Sequence, residues 1–226
     1  AAVGEVNTRL GFTGDALRDA SEAFLKYAKV NGTDVNTSVQ LVTRAMGDAG
    51  IAAEDYGSVL DSLTVAGQKS GISVDTLATN LAKYGAPMRQ LGLDTQQSIA
   101  LFAGWEKAGV NTEIAFSGMK KAISNWAAEG KDASVEFQNV LDKIAAAPDL
   151  ATASTMAIEV FGAKAGPDLA DAIQGGRFAV DEYVEALKNS EGAVQGTYDM
   201  IVDEVDDTAR AQQTLKVALH DVGETI

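Results

Sequence analysis

The hydrophobic residues between Gly71 and Gly92 recur with the period of an α-helix. They follow one another at steps of three and four positions: Val74, Leu77, Leu81, Tyr84, Met88 and Leu91. This spacing places them on one face of a helix and fits no β-strand. Ser73 is positioned to cap the first turn, and both glycines can adopt the left-handed conformation that ends a helix. The repeating unit is therefore a helix, a glycine followed by an apolar residue, a polar cap and the next helix.

Four glycines follow apolar stripes in this way, and we call them the stop glycines: Gly50, Gly71, Gly92 and Gly109. The intervals between them are 21, 21 and 17 residues. Two architectures account for such spacing. One is a loose repeat of helices stacked on their neighbours, and the other is a small helical bundle with short loops. Both belong to the all-α class.

The pattern also predicts where the helices of the first half begin. We expect a first helix after Thr13 as its cap, a second after Asp34 and a third around Tyr56. The fourth, described above, contains Pro87, which is expected to kink or split it at Gly85-Ala86. A fifth is expected to open with a capping box formed by Asp94 and Gln97.

Further helices are expected in the second half of the chain. The stripes predict helices over residues 112–129, from Asp132 to about 147, from Asp149 to Phe161, and a short one from Asp168 to Ile173. The glycines around the last two are interpreted as helix ends: Gly162, Gly166, Gly175 and Gly176. Two tryptophans lie on apolar stripes, which favours core packing over an exposed contact patch: Trp105 and Trp126.

The last part of the chain carries a different pattern. Its stripe follows alternating steps of four and three: Val194, Tyr198, Ile201, Val205, Thr208, Gln212, Leu215, Leu219 and Val222. This heptad repeat predicts a long amphipathic helix that either packs back on the bundle or begins a coiled coil. From Asp181 onward there are eleven acidic and three basic residues, so 3 − 11 = −8 of the net charge lies here. We therefore divide the chain into a helical body, residues 1–190, and an acidic helix, residues 191–226.

The predicted contact residues of the acidic helix are the large members of its stripe. They are the candidates for self-association or for contacts along a rod: Val194, Tyr198, Ile201, Val205, Leu215 and Leu219. Replacing two of them by aspartate, Ile201 and Val205, is expected to break such an association. No catalytic, cofactor-binding or metal-binding residues are predicted.

Composition and charge argue against several classes of function. The net charge of −14 argues against direct binding to nucleic acid or to anionic membranes. The chain has no cysteine, which excludes disulfides and thiolate metal sites. No apolar run approaches the roughly 20 residues of a transmembrane helix. The single histidine, His220, has no second ligand four residues away, and the acids near Asp203 lack the glycine-containing calcium loop, so both are interpreted as solvated.

Segments such as Gly71-Ile72-Ser73-Val74-Asp75 and Phe161-Gly162-Ala163-Lys164-Ala165-Gly166 occur in an order that resembles the conserved core region of phage tail tape measure proteins. Residues 4–15, Gly4-Glu5-Val6-Asn7-Thr8-Arg9-Leu10-Gly11-Phe12-Thr13-Gly14-Asp15, are similar to its opening. The later segments follow in the expected order: Gly71-Ile72-Ser73-Val74-Asp75, Leu91-Gly92-Leu93, Glu106-Lys107-Ala108-Gly109-Val110 and Phe161-Gly162-Ala163-Lys164-Ala165-Gly166. The resemblance covers roughly residues 3–190. The start without methionine and the end within a helical pattern lead us to expect a fragment of a longer chain.

The resemblance implies a structural protein rather than an enzyme. Proteins of this family lie in the lumen of the tail tube, set the tail length during assembly in the host cytoplasm and leave the tube ahead of the DNA. The implied partners are tail-tube, tail-tip or baseplate proteins and tail assembly chaperones, and no cofactor is implied. Two alternatives stay open at this stage: a peptidoglycan-active helical enzyme module of a tail protein, and a membrane-interacting helical domain.

Overall fold

A computed structural model describes residues 2–178 and 181–203, and in these ranges the chain forms helices and turns without strands. The expected all-α class is therefore confirmed. The helices are α1 Ala2–Leu10, α2 Gly14–Asn31, α3 Val35–Ala49, α4 Tyr56–Ser70, α5 Val74–Gln90, α6 Thr95–Ala108, α7 Thr112–Ala128, α8 Ala133–Ala145, α9 Leu150–Phe161, α10 Gly166–Gln174 and α11 Asp181–Lys188. A short 3₁₀ turn, Ala53–Asp55, precedes α4. A further helical segment occupies residues 193–203.

Local hydrogen bonds explain most helix beginnings. Side-chain oxygens accept a backbone N–H of the first turn at six N-caps: Asp34, Ser73, Asp94, Asn111, Asp132 and Asp149. The capping box predicted for α6 is present in both directions. The Gln97 amide donates to Asp94 Oδ1 at 2.7 Å, and the Asp94 amide donates to Gln97 Oε1 at 2.9 Å. Hydrogen bonds from Ser134 and Val135 hold the pKa of Asp132 below its usual range.

The stop glycines end helices as predicted. Gly50, Gly71 and Gly109 occupy the C-caps of α3, α4 and α6 with φ of 68°, 76° and 71°. Gly92 follows the last turn of α5 with φ of 77°. A side chain would be strained in this left-handed region, so glycine is the residue that permits each tight reversal.

The helices of the first half alternate between two rows. α3 packs mainly on α5 and also on α1, whereas α4 packs on α6 and on α2. Each helix in this part thus lies against the next but one as well as against its sequence neighbours. The glycine turns are short, so the chain crosses from one row to the other at every turn.

Several close helix contacts depend on glycine, and those at Gly85 and Gly166 involve the most extensively packed pairs of helices. A Cβ on Gly85 of α5 would lie 2.9 Å from the Ala49 Cβ of α3. A Cβ on Gly166 of α10 would lie 2.6 Å from the Ile158 Cα of α9. Since real Cβ atoms do not approach so closely, these two pairs of helices touch through nearly bare backbone.

An aromatic cluster joins the two halves of the body. Tyr84 of α5 stacks on Phe116 of α7 with ring centroids 3.8 Å apart. Trp105 of α6 lies 5.7 Å from Phe116 and 5.0 Å from Phe178, measured between ring centroids. Trp105 is fully buried and Trp126 is 6% exposed. The prediction that both tryptophans pack in the core is confirmed.

The structure corrects four local predictions. A helix that the sequence reading missed, α1, precedes the one predicted to be first. Thr13 stands at the N-cap of α2, but its side chain makes no capping hydrogen bond. Pro87 does not split α5, which runs continuously from Val74 to Gln90, whereas a kink at Gly85-Ala86 stays a prediction. Proline removes one backbone hydrogen bond and its ring crowds the carbonyl four residues earlier, yet α5 stays helical where it packs on α3.

The short helix α10 is the fourth correction. It starts at Gly166, two residues before the predicted Asp168. Gly166 therefore opens a helix instead of ending one, and its role is the close approach to Ile158. The Pro167 ring suits this first turn because its missing N–H would have had no partner there.

Candidate interaction site

The region where the heptad stripe meets the body is the candidate site. We call the contacts of residues 190–198 with α2 and α4 the junction. Before it, α11 packs on α4 and α6, with Val184 6% and Leu187 1% exposed. The acidic stretch that begins at Asp181 is not one continuous helix, because α11 ends at Lys188 and the next helical segment starts at 193. Gly192 lies in the intervening turn with φ of 77°.

Asp61 of α4 is the central residue of the junction. Its carboxylate accepts two backbone hydrogen bonds, from Gly192 to Oδ2 at 2.8 Å and from Val194 to Oδ1 at 2.9 Å. The hydroxyls of Ser62 and Ser190 lie 3.4 Å apart beside it, and both residues are buried. A carboxylate at this position is favourable because the first N–H groups of a helix carry partial positive charge.

Past Val194 the contacts become polar. Lys26 of α2 donates to Gln195 Oε1 at 2.7 Å, and its Nζ lies 5.6 Å from the centroid of the Tyr198 ring. Lys26 also pairs with Glu22 on its own helix. Gln68 of α4 donates to Thr197 Oγ1 at 3.3 Å. Such exposed polar contacts contribute little stability individually. Together they fix the direction in which residues 195–198 run over α2 and α4.

A cleft of about 340 Å³ adjoins the junction. Tyr56, Leu60 and Gly57 line it on the α4 side, and Asp19 and Lys26 line it on the α2 side. Burial, assisted by the negative charge of Asp19, raises the pKa of Tyr56. The carboxylates of the cleft already have partners: Asp19 pairs with Arg18, Glu22 pairs with Lys26, and Asp61 accepts the two backbone amides. The cleft thus combines apolar lining, such as Leu60, with carboxylates that are already paired.

Four of the seven large exposed hydrophobic residues in the described part of the chain lie in α8 and α9. α9 has a single charged residue, Glu159, although the chain as a whole has 22% charged residues. Its side chains account for three of the large exposed hydrophobics: Leu150, Met156 and Ile158. A groove of about 380 Å³ between α7, α8 and α9 has Trp126, Ile144 and Val160 among its lining residues. Surfaces of this kind are common at protein contacts.

Among the described residues, the buried titratable groups do not converge on a chemical site. Tyr27 is fully buried, and burial followed by the charge of Asp75 raises its pKa. Burial, with a contribution from Asp34, also raises the pKa of Asp75. In residues 2–178 and 181–203 no three His, Asp or Glu side chains are grouped so that they could hold a metal ion. None of the helices in these ranges is long and apolar enough to cross a membrane.

Comparison with known families decides the class of protein. The profile of the phage-related minor tail protein family matches residues 1–222, nearly the whole chain. The chain belongs to the phage-related minor tail protein family. No curated protein and no solved structure matches it significantly. Membership supports a structural role in a phage tail, and it supports tail proteins as partners.

The predicted contact residues of this minor tail protein fall on both sides of the described boundary. Val194 is buried at 6% exposure, and Tyr198 and Ile201 are half-buried. Val205, Leu215 and Leu219 lie outside the described residues, as does His220. Self-association through the stripe, and the division at residue 190, therefore stay predictions.

The sequence did not predict which residues of the body contact the start of the stripe. Asp61, Lys26 and Gln68 stand on polar faces of α2 and α4, where a solvated side chain is the ordinary interpretation. The sequence around residue 193, on the other side of this contact, carried one indication of it. The helical segment at 193 is preceded by Gly192, which has no side chain, so any side-chain cap must be supplied by another residue.

Proposed function

We propose that this chain is the core region of a tape measure protein, and that the helix starting at residue 193 is the first part of the rod that sets tail length. Membership in the phage-related minor tail protein family over residues 1–222 is the observation that carries the proposal. The order of the segments that resemble tape measure proteins supports it. So does the heptad stripe, which extends in sequence from Val194 to Val222.

A helical rod is a suitable ruler because its length is proportional to its residue count. Each residue adds about 1.5 Å, so additions and deletions convert directly into distance. In this proposal the rod lies in the tail lumen, the body docks to tail-tip or tube proteins, and the protein leaves the tube before the DNA. The negative surface disfavours adhesion to DNA in the same lumen. The protein acts through contacts between proteins and not through catalysis.

The test is to lengthen the stripe in the phage. A second copy of residues 202–222 is inserted after Val222, which adds three heptads and preserves the register. Tails are measured by electron microscopy. We expect the tail to lengthen by about 32 Å, because each of the roughly 21 inserted residues adds about 1.5 Å of helix.

A matched control separates rod length from chain length. The same insert is placed at Gly130, in the exposed turn between α7 and α8, where a Cβ would meet nothing within 4 Å. Tail length should then stay unchanged. Unchanged tails on viable particles with the insert after Val222 would reject the length-setting function. Clearing of a cell-wall suspension by the purified protein would instead support the enzymatic alternative.

A further inference from the structure

The helical segment 193–203 lacks a cap of its own. Gly192 precedes it and has no side chain, and its φ of 77° excludes most replacements. Nucleating a helix is costly, because several residues are ordered before the first backbone hydrogen bond forms. In this chain that first bond joins the Gly196 amide to the Gly192 carbonyl at 2.8 Å.

The body supplies the missing cap. Asp61 lies 131 residues earlier in the chain, yet it accepts hydrogen bonds from both Gly192 and Val194. A capping side chain ordinarily comes from the residue at the helix start itself and satisfies one amide. Here a carboxylate from α4 satisfies two, and hydrogen bonds to charged acceptors are stronger than neutral ones.

The surrounding contacts fix the orientation of the capped segment. Val194 is buried next to the cap, and further along the segment Lys26 donates to Gln195 and Gln68 donates to Thr197. The segment therefore begins at one point of the body and continues over α2 and α4. The next residues of the stripe, Tyr198 and Ile201, are only half-buried. Strong anchoring is concentrated at the first turn of the segment.

We propose that Asp61 is a positioning residue, a cap donated by the folded body that starts the C-terminal helix at residue 193 and sets its direction. The start of the helix is then coupled to the folding of α4. For the ruler, this defines a fixed zero point on the body, and that consequence alone rests on the proposed tape measure function.

Hydrogen exchange on the purified full chain tests the cap. Asp61→Ala should accelerate exchange of the Val194 and Gly196 amides by roughly tenfold, in keeping with the loss of a charged helix cap. Amides in the centres of α3 and α9 should keep their wild-type rates, which shows that the variant is folded. Asp61→Asn retains one acceptor oxygen, so its exchange rates should lie between those of the wild type and of Asp61→Ala. Asp48→Ala, another surface aspartate, should leave all these rates unchanged.

The possible outcomes separate the two proposals. Wild-type exchange at Val194 and Gly196 in Asp61→Ala would overturn the cap. Equal acceleration in α3 and α9 would also overturn it, because Asp61 would then stabilise the body as a whole. The length measurement on the phage does not depend on either result. Faster exchange combined with no response to the heptad insert would keep the cap and reject the ruler.

Discussion

The body and the junction hold helices together by different means. In the body, α3 and α5 meet at Gly85 and Ala49, and the aromatic cluster around Trp105 fills the space between helices. At the junction, one carboxylate and a few polar side chains hold the segment, and Val194 is the buried apolar contact. Burial of apolar surface contributes far more free energy than exposed polar contacts do. The body should therefore determine global stability, and the junction should determine local order.

The largest expected effect is in the aromatic cluster. Trp105→Ala should lower the free energy of unfolding by about 3–5 kcal/mol, because it leaves a large cavity among Phe116 and Phe178. Denaturant unfolding followed by circular dichroism measures this. Leu25→Ala is the control, since Leu25 is 51% exposed and should cost less than about 1 kcal/mol. Similar losses for both variants would contradict the assignment of Trp105 to the stabilising core.

A smaller effect is expected where α3 and α5 cross. Gly85→Ala places a Cβ 2.9 Å from the Ala49 Cβ, so the helices must separate, at a cost of about 1–3 kcal/mol. Gly47→Ala on α3 is the matched control, because nothing lies within 4 Å of its new Cβ. It should stabilise α3 by about 0.5–1 kcal/mol through helix propensity. Opposite signs in the same unfolding assay would support the close crossing, and equal signs would refute it.

The smallest effect is expected at the junction. Gln68→Ala removes the hydrogen bond to Thr197 Oγ1 but buries no new group, so the free energy of unfolding should change by less than about 0.5 kcal/mol. The same denaturant experiment applies. A loss as large as that of Gly85→Ala would show that the junction contributes to the stability of the body, and the contrast between the two regions would then fail.

The local elements of the fold were predictable because their causes are local. The stop glycines and the capping box of Asp94 and Gln97 act within four residues of the helix ends they define. The stripes also identified Trp105 and Trp126 as core residues. The wrong predictions concern features on which residues distant in sequence also act. Pro87 disfavours a helix locally, yet α5 continues past it and packs on α3, which is distant in sequence.

By itself, the sequence determined the helical class, most helix ends and the heptad stripe, and the match of residues 1–222 to a family profile identified the phage-related minor tail protein family. Only the tertiary structure decided which helix each stripe contacts, and that Asp61 caps a segment 131 residues away. A polar residue on a helix surface looks the same in sequence whether it faces water or a partner helix. The partner is chosen by packing, since the close approach of α3 to α5 and of α9 to α10 determines which surfaces remain available.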